Sequence, residues 1–405
     1  MTMFVASLFI SVLLMPPIAE ATILSPSGIS MLPFTIPAVT PLLLSPASVP
    51  MICAITVILT HQPKDTVTIQ AASHGPLTLG PAVAGGFAAA SIDIGVSANP
   101  WSPESCGLKE NGEVNLGVLT NFASRSVREM TVIGKAVTES FYGKRSQYQE
   151  LLDGILAGAP WIYWPTYVIA ELWSQVVMKE VGVYPSPDEL NAVVAAAILV
   201  CGEIDEVKDG VINEPEKKIY TRPETGGRQL WYGIPIGAPL DSLANTTAVN
   251  GTRIGFTSFV PDTWTRYFVK WDPGYRTTSI ELCTTTCLTM RILIYHGFNT
   301  PGGNFLVWHG GAYQPIFPQG GTLYVQRVGA VMNHYGFGTT PGARTSNAFE
   351  MLIAWAEYGI TLEFLKGQTL PLASVQLRRK ICRYPLVSRY RGFGNMNELK
   401  SFECV

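Results

Sequence analysis

Charge is scarce in this sequence. Only 14% of its 405 residues are charged and the formal net charge is −2, so no basic face of the kind that binds nucleic acid is expected. The apolar run at residues 3–15 is too short to cross a bilayer. The nucleophile-elbow pattern Gly-x-Ser-x-Gly is absent as well. These absences exclude nucleic-acid and membrane partners from our interpretation and favour a small neutral substrate.

What the N-terminus does contain is typical of a secretory signal peptide. The apolar run is followed by Ala19-Glu20-Ala21, a small-residue cleavage pattern, which predicts a signal peptide over residues 1–21 and a secreted, extracellular protein. Because no Lys or Arg precedes the run, a membrane anchor or a buried hydrophobic arm is the alternative. Two glycosylation sequons, at Asn245 and Asn250, agree with secretion.

Seven cysteines are compatible with disulfides in an oxidising compartment, although an odd number leaves one unpaired. Cys382 and Cys404 bracket the C-terminal tail and are the predicted pair. Cys283 and Cys287 have metal-like spacing, but no second Cys/His pair accompanies them, so a structural role is expected.

Apolar residues at helical spacing predict helices over residues 126–142 and 347–358, each with a possible capping box at its start. A further helix is predicted over residues 186–200, because Ser186 can cap it and Pro187 suits its first turn. Short apolar runs at residues 151–160 and 305–308 predict buried strands. Strands that alternate with helices favour a parallel-sheet α/β core. Residues 163–272 interrupt this alternation and are interpreted as an inserted lid.

An acidic loop follows the second predicted helix. Asp205 and Asp209 lie four residues apart, with backbone carbonyls between them and Gly210 permitting a sharp turn. Calcium prefers several oxygen ligands from one compact loop. A solvated acidic turn is the alternative that this spacing leaves open.

Several stretches of the chain, in order, resemble the tannase and fungal feruloyl esterase family. They are TNFASRSVREMTVIGKAVTESFYGK, DGILAGAP, CGEIDEVKDGVINEP, LWYGIPIGAPL, VWHGGAYQPIFPQGGT and ICRYPLVSRYRG. The resemblance implies an α/β-hydrolase-like core over residues 22–162 and 273–405, with a lid over residues 163–272. It also implies a secreted serine-type carboxylic ester hydrolase that acts on feruloyl or galloyl esters of plant cell walls or polyphenols.

The resemblance further implies a structural Ca²⁺ in the acidic loop. The family's calcium ligands fall on positions that here hold Gly202, Asp205, Val207, Asp209 and Val211. The family has a carboxylate at the first of these positions, so glycine there predicts weaker binding. The usual partner of Cys201 is also missing, which makes Cys201 the expected free thiol.

The catalytic residues agree poorly with the family. Its nucleophilic serine belongs to a glycine-rich elbow segment beginning Cys-Ser, between the stretches that match Tyr148 and Asp153. This chain runs directly from one stretch to the other. Its aspartate aligns with Tyr313, which cannot carry the negative charge that stabilises an imidazolium. Its histidine aligns best with His334, the predicted catalytic residue, and a lone exposed loop histidine is the alternative.

Two alternatives to an ordinary esterase therefore stay open. In one, the chain is a catalytically dead binding protein whose aromatic pocket includes Trp164, Trp231 or Trp308. In the other, the sequence is a faulty gene model of a working enzyme, because the omissions are clean and are flanked by good matches.

Overall fold

The computed structural model of the chain divides into two compact units, Met1–Ile155 and Leu156–Val405. It describes residues 11–14, 55–61, 65–71, 88–92, 104, 107–143, 148–149, 154–202, 207, 211–212, 219–225, 227–278, 304–328, 332–337, 344–361, 363–369 and 376–405. The predicted signal-peptide, core and lid boundaries at residues 21, 162 and 272 stay predictions.

The first unit contains a five-stranded antiparallel sheet. Its strands are β1 (Ser11–Leu14), β2 (Ile55–His61), β3 (Asp65–Ala71), β4 (Ala88–Ile92) and β5 (Tyr148–Gln149). The order is β2-β3-β4-β1-β5, with antiparallel pairing throughout. The expectation of a parallel sheet is wrong here, because residues 62–64 are too short a link for a parallel crossover.

Strand β1 lies inside the segment predicted as a signal peptide. It pairs with β4 on one side and β5 on the other. This is the arrangement expected of a hydrophobic arm, and cleavage after Ala21 would remove the strand from the sheet. The signal peptide stays a prediction.

The predicted helix over residues 126–142 is confirmed, but its start is not. Helix α1 (Leu116–Thr120) runs through a π-helical turn (Asn121–Arg125) into α2 (Ser126–Tyr142). The true N-cap is Asn115, whose side chain accepts a hydrogen bond from the Val118 amide at 3.4 Å. The expected capping box at Ser126 is therefore wrong. That hydroxyl is buried without a hydrogen-bond partner among the described residues.

Helices dominate the first part of the second unit. They are α3 (Trp164–Ala170), α4 (Trp173–Val181), α5 (Pro187–Cys201) and α6 (Phe259–Thr263), the last continuing as a π-helical segment (Trp264–Lys270). The predicted cap of α5 at Ser186 is confirmed, and Ser186 and Glu189 together form a full capping box. The Glu189 amide donates to Ser186 Oγ at 3.2 Å, and the Ser186 amide donates to Glu189 Oε2 at 2.7 Å. No helix in the described part of the chain is long and apolar enough to span a membrane.

Two short hairpins lie between α5 and α6 in the chain. They are formed by β7 (Glu224–Thr225) with β8 (Arg228–Gln229), and by β9 (Thr246–Val249) with β10 (Thr252–Gly255). The second hairpin turns at Asn250 and Gly251, which have φ values of 50° and 76°. Such left-handed pairs favour Asn-Gly, because Asn and Gly tolerate positive φ. The sequon at Asn250 therefore lies at an exposed turn.

The candidate site follows a strand of a three-stranded sheet. Its strands are β6 (Gly154–Gly158), β11 (Asn304–Gly310) and β12 (Met332–Phe337), in the order β12-β11-β6. Helix α7 (Pro318–Val328) connects β11 to β12, and these two strands are parallel, with Gly310 opposite Phe337. Both predicted buried strands are confirmed.

The C-terminal elements complete the second unit. They are β13 (Arg344–Thr345), α8 (Ala348–Tyr358), β14 (Phe364–Gln368), β15 (Arg378–Cys382), β16 (Ser388–Tyr390) and β17 (Phe402–Cys404). The third predicted helix is confirmed as α8. Its capping box is wrong, because Asn347 Oδ1 instead accepts a hydrogen bond from the Lys366 amide at 2.8 Å.

The cysteine predictions that fall on described residues are confirmed. Cys382 and Cys404 form a disulfide that ties β15 to β17. Cys201, at the end of α5, is a free thiol. The remaining cysteines lie outside the described residues.

Candidate active site

The turn that follows β11 holds the residue aligned with the catalytic aspartate. The Tyr313 amide donates to the Gly310 carbonyl at 3.2 Å and closes the turn. Gln314 then fixes the turn to a neighbouring segment: its Nε2 donates to Asp241 Oδ1 at 2.6 Å, and its Oε1 accepts from the Ser242 amide at 3.2 Å. The position of Tyr313 is therefore set by backbone and side-chain hydrogen bonds together.

His309 is the second-last residue of β11 and is 1% exposed. Its Nδ1 donates to the Gly310 carbonyl at 2.9 Å, which places the ring proton on Nδ1. Its Nε2 is buried without a partner among the described residues. Burial lowers the pKa of His309 to about 4, since the charged imidazolium would lose its hydration. This histidine is neutral at pH 7 and is a poor proton acceptor.

Tyr313 lies beside a buried carboxyl group. Burial raises the pKa of the Tyr313 phenol, and the nearby Glu171 raises it further. Glu171 is 6% exposed, and desolvation raises its own pKa well above the usual value. Glu171 also raises the pKa of Tyr167, one helical turn earlier, beyond the effect of burial. Burial disfavours the charged form of all three groups, so this cluster is a poor source of the negative charge that would orient a histidine.

His334, the predicted catalytic histidine, lies within β12 and pairs with Val307. His334 lies three residues before Phe337, the end of the strand that pairs with Gly310. At the usual rise of a strand, His334 and Phe337 are about 10 Å apart. The alternative that His334 lies in a loop is therefore wrong. The catalytic role of His334 stays a prediction.

The acidic loop is described at Gly202, Val207 and Val211, and Asp205 and Asp209 lie outside the described residues. A Cβ built on Gly202 would lie 3.5 Å from the Val211 carbonyl oxygen, so the two ends of the loop come together. The calcium site itself stays a prediction. Glycine at position 202 nevertheless supplies no carboxylate.

The three tryptophans suggested for an aromatic pocket are packed in protein cores. Trp164 contacts Trp161 and Trp264, with ring centroids 5.2 and 5.4 Å away. Trp231 is 6% exposed and packs edge-on against Tyr163 at 5.6 Å. Trp308 covers Gly158, where a Cβ would meet the indole at 2.9 Å.

Comparison with known proteins decides the family. The model of the family described as tannase and feruloyl esterase matches residues 146–221. A probable feruloyl esterase from Arthroderma benhamiae is 32% identical over 419 residues, covering 83% of this chain and 78% of the relative. The chain belongs to the tannase and feruloyl esterase family. It is therefore by family a carboxylic ester hydrolase, as the sequence resemblance implied.

More distant relatives and solved structures of this family agree. Feruloyl esterase B from Aspergillus niger is 23% identical over 380 residues, covering 72% of each chain. The structure of a tannin acyl hydrolase from Aspergillus niger superposes with a TM-score of 0.75 at 17% identity, covering 94% of each chain. An esterase from Aspergillus oryzae gives a TM-score of 0.67 at 20% identity, over 87% of this chain and 90% of that one. The esterase chain thus shares their fold.

Sequence reasoning missed Glu171 and His309. Glu171 is a single carboxyl inside the apolar run from Tyr167 to Leu172, which is a recognisable signal of a buried acid. His309 precedes two glycines at the end of a predicted strand. Its burial could not be foreseen, because it depends on the packing of the turn at Tyr313.

Proposed function

We propose that this esterase hydrolyses esters of aromatic acids, such as feruloyl or galloyl esters of plant cell walls and polyphenols, after secretion. The observation that carries the proposal is the 32% identity to a probable feruloyl esterase over most of both chains. In the reaction, water cleaves the bond between the acyl carbon and the alkoxy oxygen and releases an acid and an alcohol. The residues predicted as a lid, 163–272, would cover the α/β-hydrolase-like core and contact the substrate.

The missing serine needs an explanation in any such proposal. The match to the Arthroderma relative spans 419 positions, but 83% of 405 residues is only about 336. About 83 aligned positions of the relative therefore have no counterpart in this chain. We infer that a segment carrying the Cys-Ser elbow is missing between Lys144 and Asp153. Most residues from Lys144 to Asp153 lie outside the described part of the chain.

The other two members of the triad then take distinct roles. His334 is the proposed general base that accepts the serine proton. Tyr313 replaces the aspartate, and its neutral phenol cannot stabilise the imidazolium that forms. The protein would therefore be a slow esterase even with its elbow restored.

We also propose that the acidic loop binds Ca²⁺ weakly. The approach of Gly202 to the Val211 carbonyl supports this, and Asp205, Val207 and Asp209 would supply the other ligands. Calcium should raise the melting temperature in a titration, whereas Mg²⁺ at the same concentration should not, because this site offers calcium-type carbonyl ligands. Equal melting temperatures in calcium and in EDTA would contradict the proposal.

The substrate proposal is tested with protein expressed from the natural transcript. Methyl ferulate and methyl gallate are compared with methyl butyrate, an aliphatic ester. We expect kcat/KM for at least one aromatic ester to exceed that for methyl butyrate tenfold or more. A preference for methyl butyrate would contradict the proposal. Saturable binding of methyl ferulate without turnover would instead favour the catalytically dead binding protein.

A further inference from the structure

A small cavity lies in the second unit. Its volume is about 160 Å³, and it is bordered by α4, by the start of α5 and by the segments around Tyr220 and Ile234. Most of its lining is apolar, including Val177, Met178, Leu190, Ile234, Leu240 and Phe317. Neither His309 nor Tyr313 lines it, so it is separate from the candidate active site.

The polar side chains that line the cavity are the indole of Trp173 and three hydroxyls. Ser174, Tyr220 and Thr221 line it, and none of its described lining residues is charged. Burial raises the pKa of Tyr220, so this hydroxyl is neutral at pH 7. Thr221 is exposed to solvent, and its Oγ1 accepts a hydrogen bond from Trp173 Nε1 at 3.1 Å. The cavity therefore reaches solvent near Thr221.

The lining determines what charge a ligand can have. A carboxylate placed here would lose its hydration and find no cationic partner among the described residues, which is strongly unfavourable. A neutral molecule with one hydroxyl would lose less, because Ser174, Tyr220 and Thr221 offer hydrogen-bond partners. The free acids that the esterase would release are anions at pH 7 and do not fit this chemistry.

The size of the cavity determines what shape a ligand can have. Apolar cavities of about 150 Å³ in other proteins accept a benzene ring. We propose that this cavity binds one neutral phenolic ring, of the class of phenol itself. The proposal is independent of the catalytic serine and of the substrate proposed above.

The test measures binding of phenol to the full chain by ligand-observed NMR at pH 7. Benzoate is the charged probe of the same ring size. Val177→Phe fills the cavity from α4, and Val181→Phe makes the same change on the same helix at a residue that is 66% exposed and outside the lining. Ala244→Leu fills the cavity from the opposite wall if Val177→Phe does not fold.

We expect phenol to bind saturably and benzoate to bind at least tenfold more weakly. Val177→Phe or Ala244→Leu should weaken phenol binding at least tenfold, and Val181→Phe should leave it unchanged. Absence of saturable phenol binding, equal binding of benzoate, or unchanged phenol binding in a folded cavity-filling variant would overturn the proposal.

Discussion

The helices and hairpins of residues 160–278 differ sharply from the triad positions of the same chain. In the first region, Gln175 Nε2 lies 3.0, 2.9 and 3.2 Å from the carbonyls of Leu243, Asn245 and Phe256 and holds α4 against the β9–β10 segment. At the positions where the family resemblance places the triad, Tyr313 stands where an aspartate is expected, and the expected serine is absent. The stability of the packed region comes from many contacts, so it tolerates the loss of a few of them. Catalysis depends on single atoms and does not.

The largest effect is expected at Tyr313, in a chain that carries the restored elbow. Tyr313→Asp should raise kcat/KM for methyl ferulate about 10³-fold or more, because a carboxylate would fix the histidine tautomer and stabilise its charged form. Tyr358→Asp makes the same change at a residue that is 71% exposed and should have no effect. Equal rates for Tyr313→Asp and its parent would show that Tyr313 does not occupy the aspartate position.

Loss of the Cys382–Cys404 disulfide should have the next largest effect. The bridge closes a loop with a sequence separation of 22 residues, and replacing both cysteines by serine should lower the free energy of unfolding by about 3 kcal/mol. Urea denaturation measures this. Cys201→Ser, at the free thiol, is the control and should change stability by less than about 0.5 kcal/mol. Similar losses in the two variants would contradict the assignment.

Gln175 tests the packed region directly. Gln175→Leu leaves buried carbonyls without their donor and should lower the free energy of unfolding by about 2 kcal/mol. Gln229→Leu, at an exposed residue of β8, should be nearly neutral. A neutral Gln175→Leu would mean that this amide does not hold the β9–β10 segment in place.

Glu171 should make stability fall as pH rises. Its pKa is raised in the folded protein, so between the unfolded value of 4.5 and the folded value the native state binds one more proton than the unfolded state. Wild-type stability should therefore fall more steeply above pH 5 than that of Glu171→Gln, by about 1.4 kcal/mol per pH unit. Glu180→Gln, at an exposed residue of α4, should keep the wild-type slope. Parallel pH profiles for wild type and Glu171→Gln would show that Glu171 ionises normally.

The smallest effect should distinguish Ser186 from Ser126, although each serine is followed by a glutamate three residues later. Ser186→Ala removes a formed capping box and should lower the free energy of unfolding by about 1 kcal/mol. Ser126→Ala removes a buried hydroxyl that has no partner among the described residues and should be neutral or slightly stabilising. Equal losses in the two variants would mean that the Ser126 hydroxyl is hydrogen bonded after all.

These two serines also show what the sequence can and cannot predict. The periodicity of apolar residues located α2 and α8 correctly, because helical burial repeats along the chain. The start signal Ser186-Pro187 located α5. Capping boxes failed at Ser126 and Asn347, because the chain before Ser126 is already helical and Asn347 caps a strand amide instead. Whether a box forms depends on neighbours that periodicity does not describe.

The candidate site was predicted less well than the fold. The family motif located Tyr313 in the turn after β11, since it lies directly beyond a confirmed strand. Glu171 reaches that turn from α3, more than 140 residues earlier, and no local pattern links the two. His334 was expected in a loop, but the chain resumes a strand soon after α7. Such contacts arise from tertiary packing.

We infer that the nucleophilic serine is missing from this sequence but is present in the protein encoded by the natural transcript. Sequencing the mature transcript from the codon of Lys144 to that of Asp153 tests it most directly. The account predicts additional in-frame codons that encode a Cys-Ser elbow. A junction that reads as written would contradict it, because the chain would then have no serine to attack an ester.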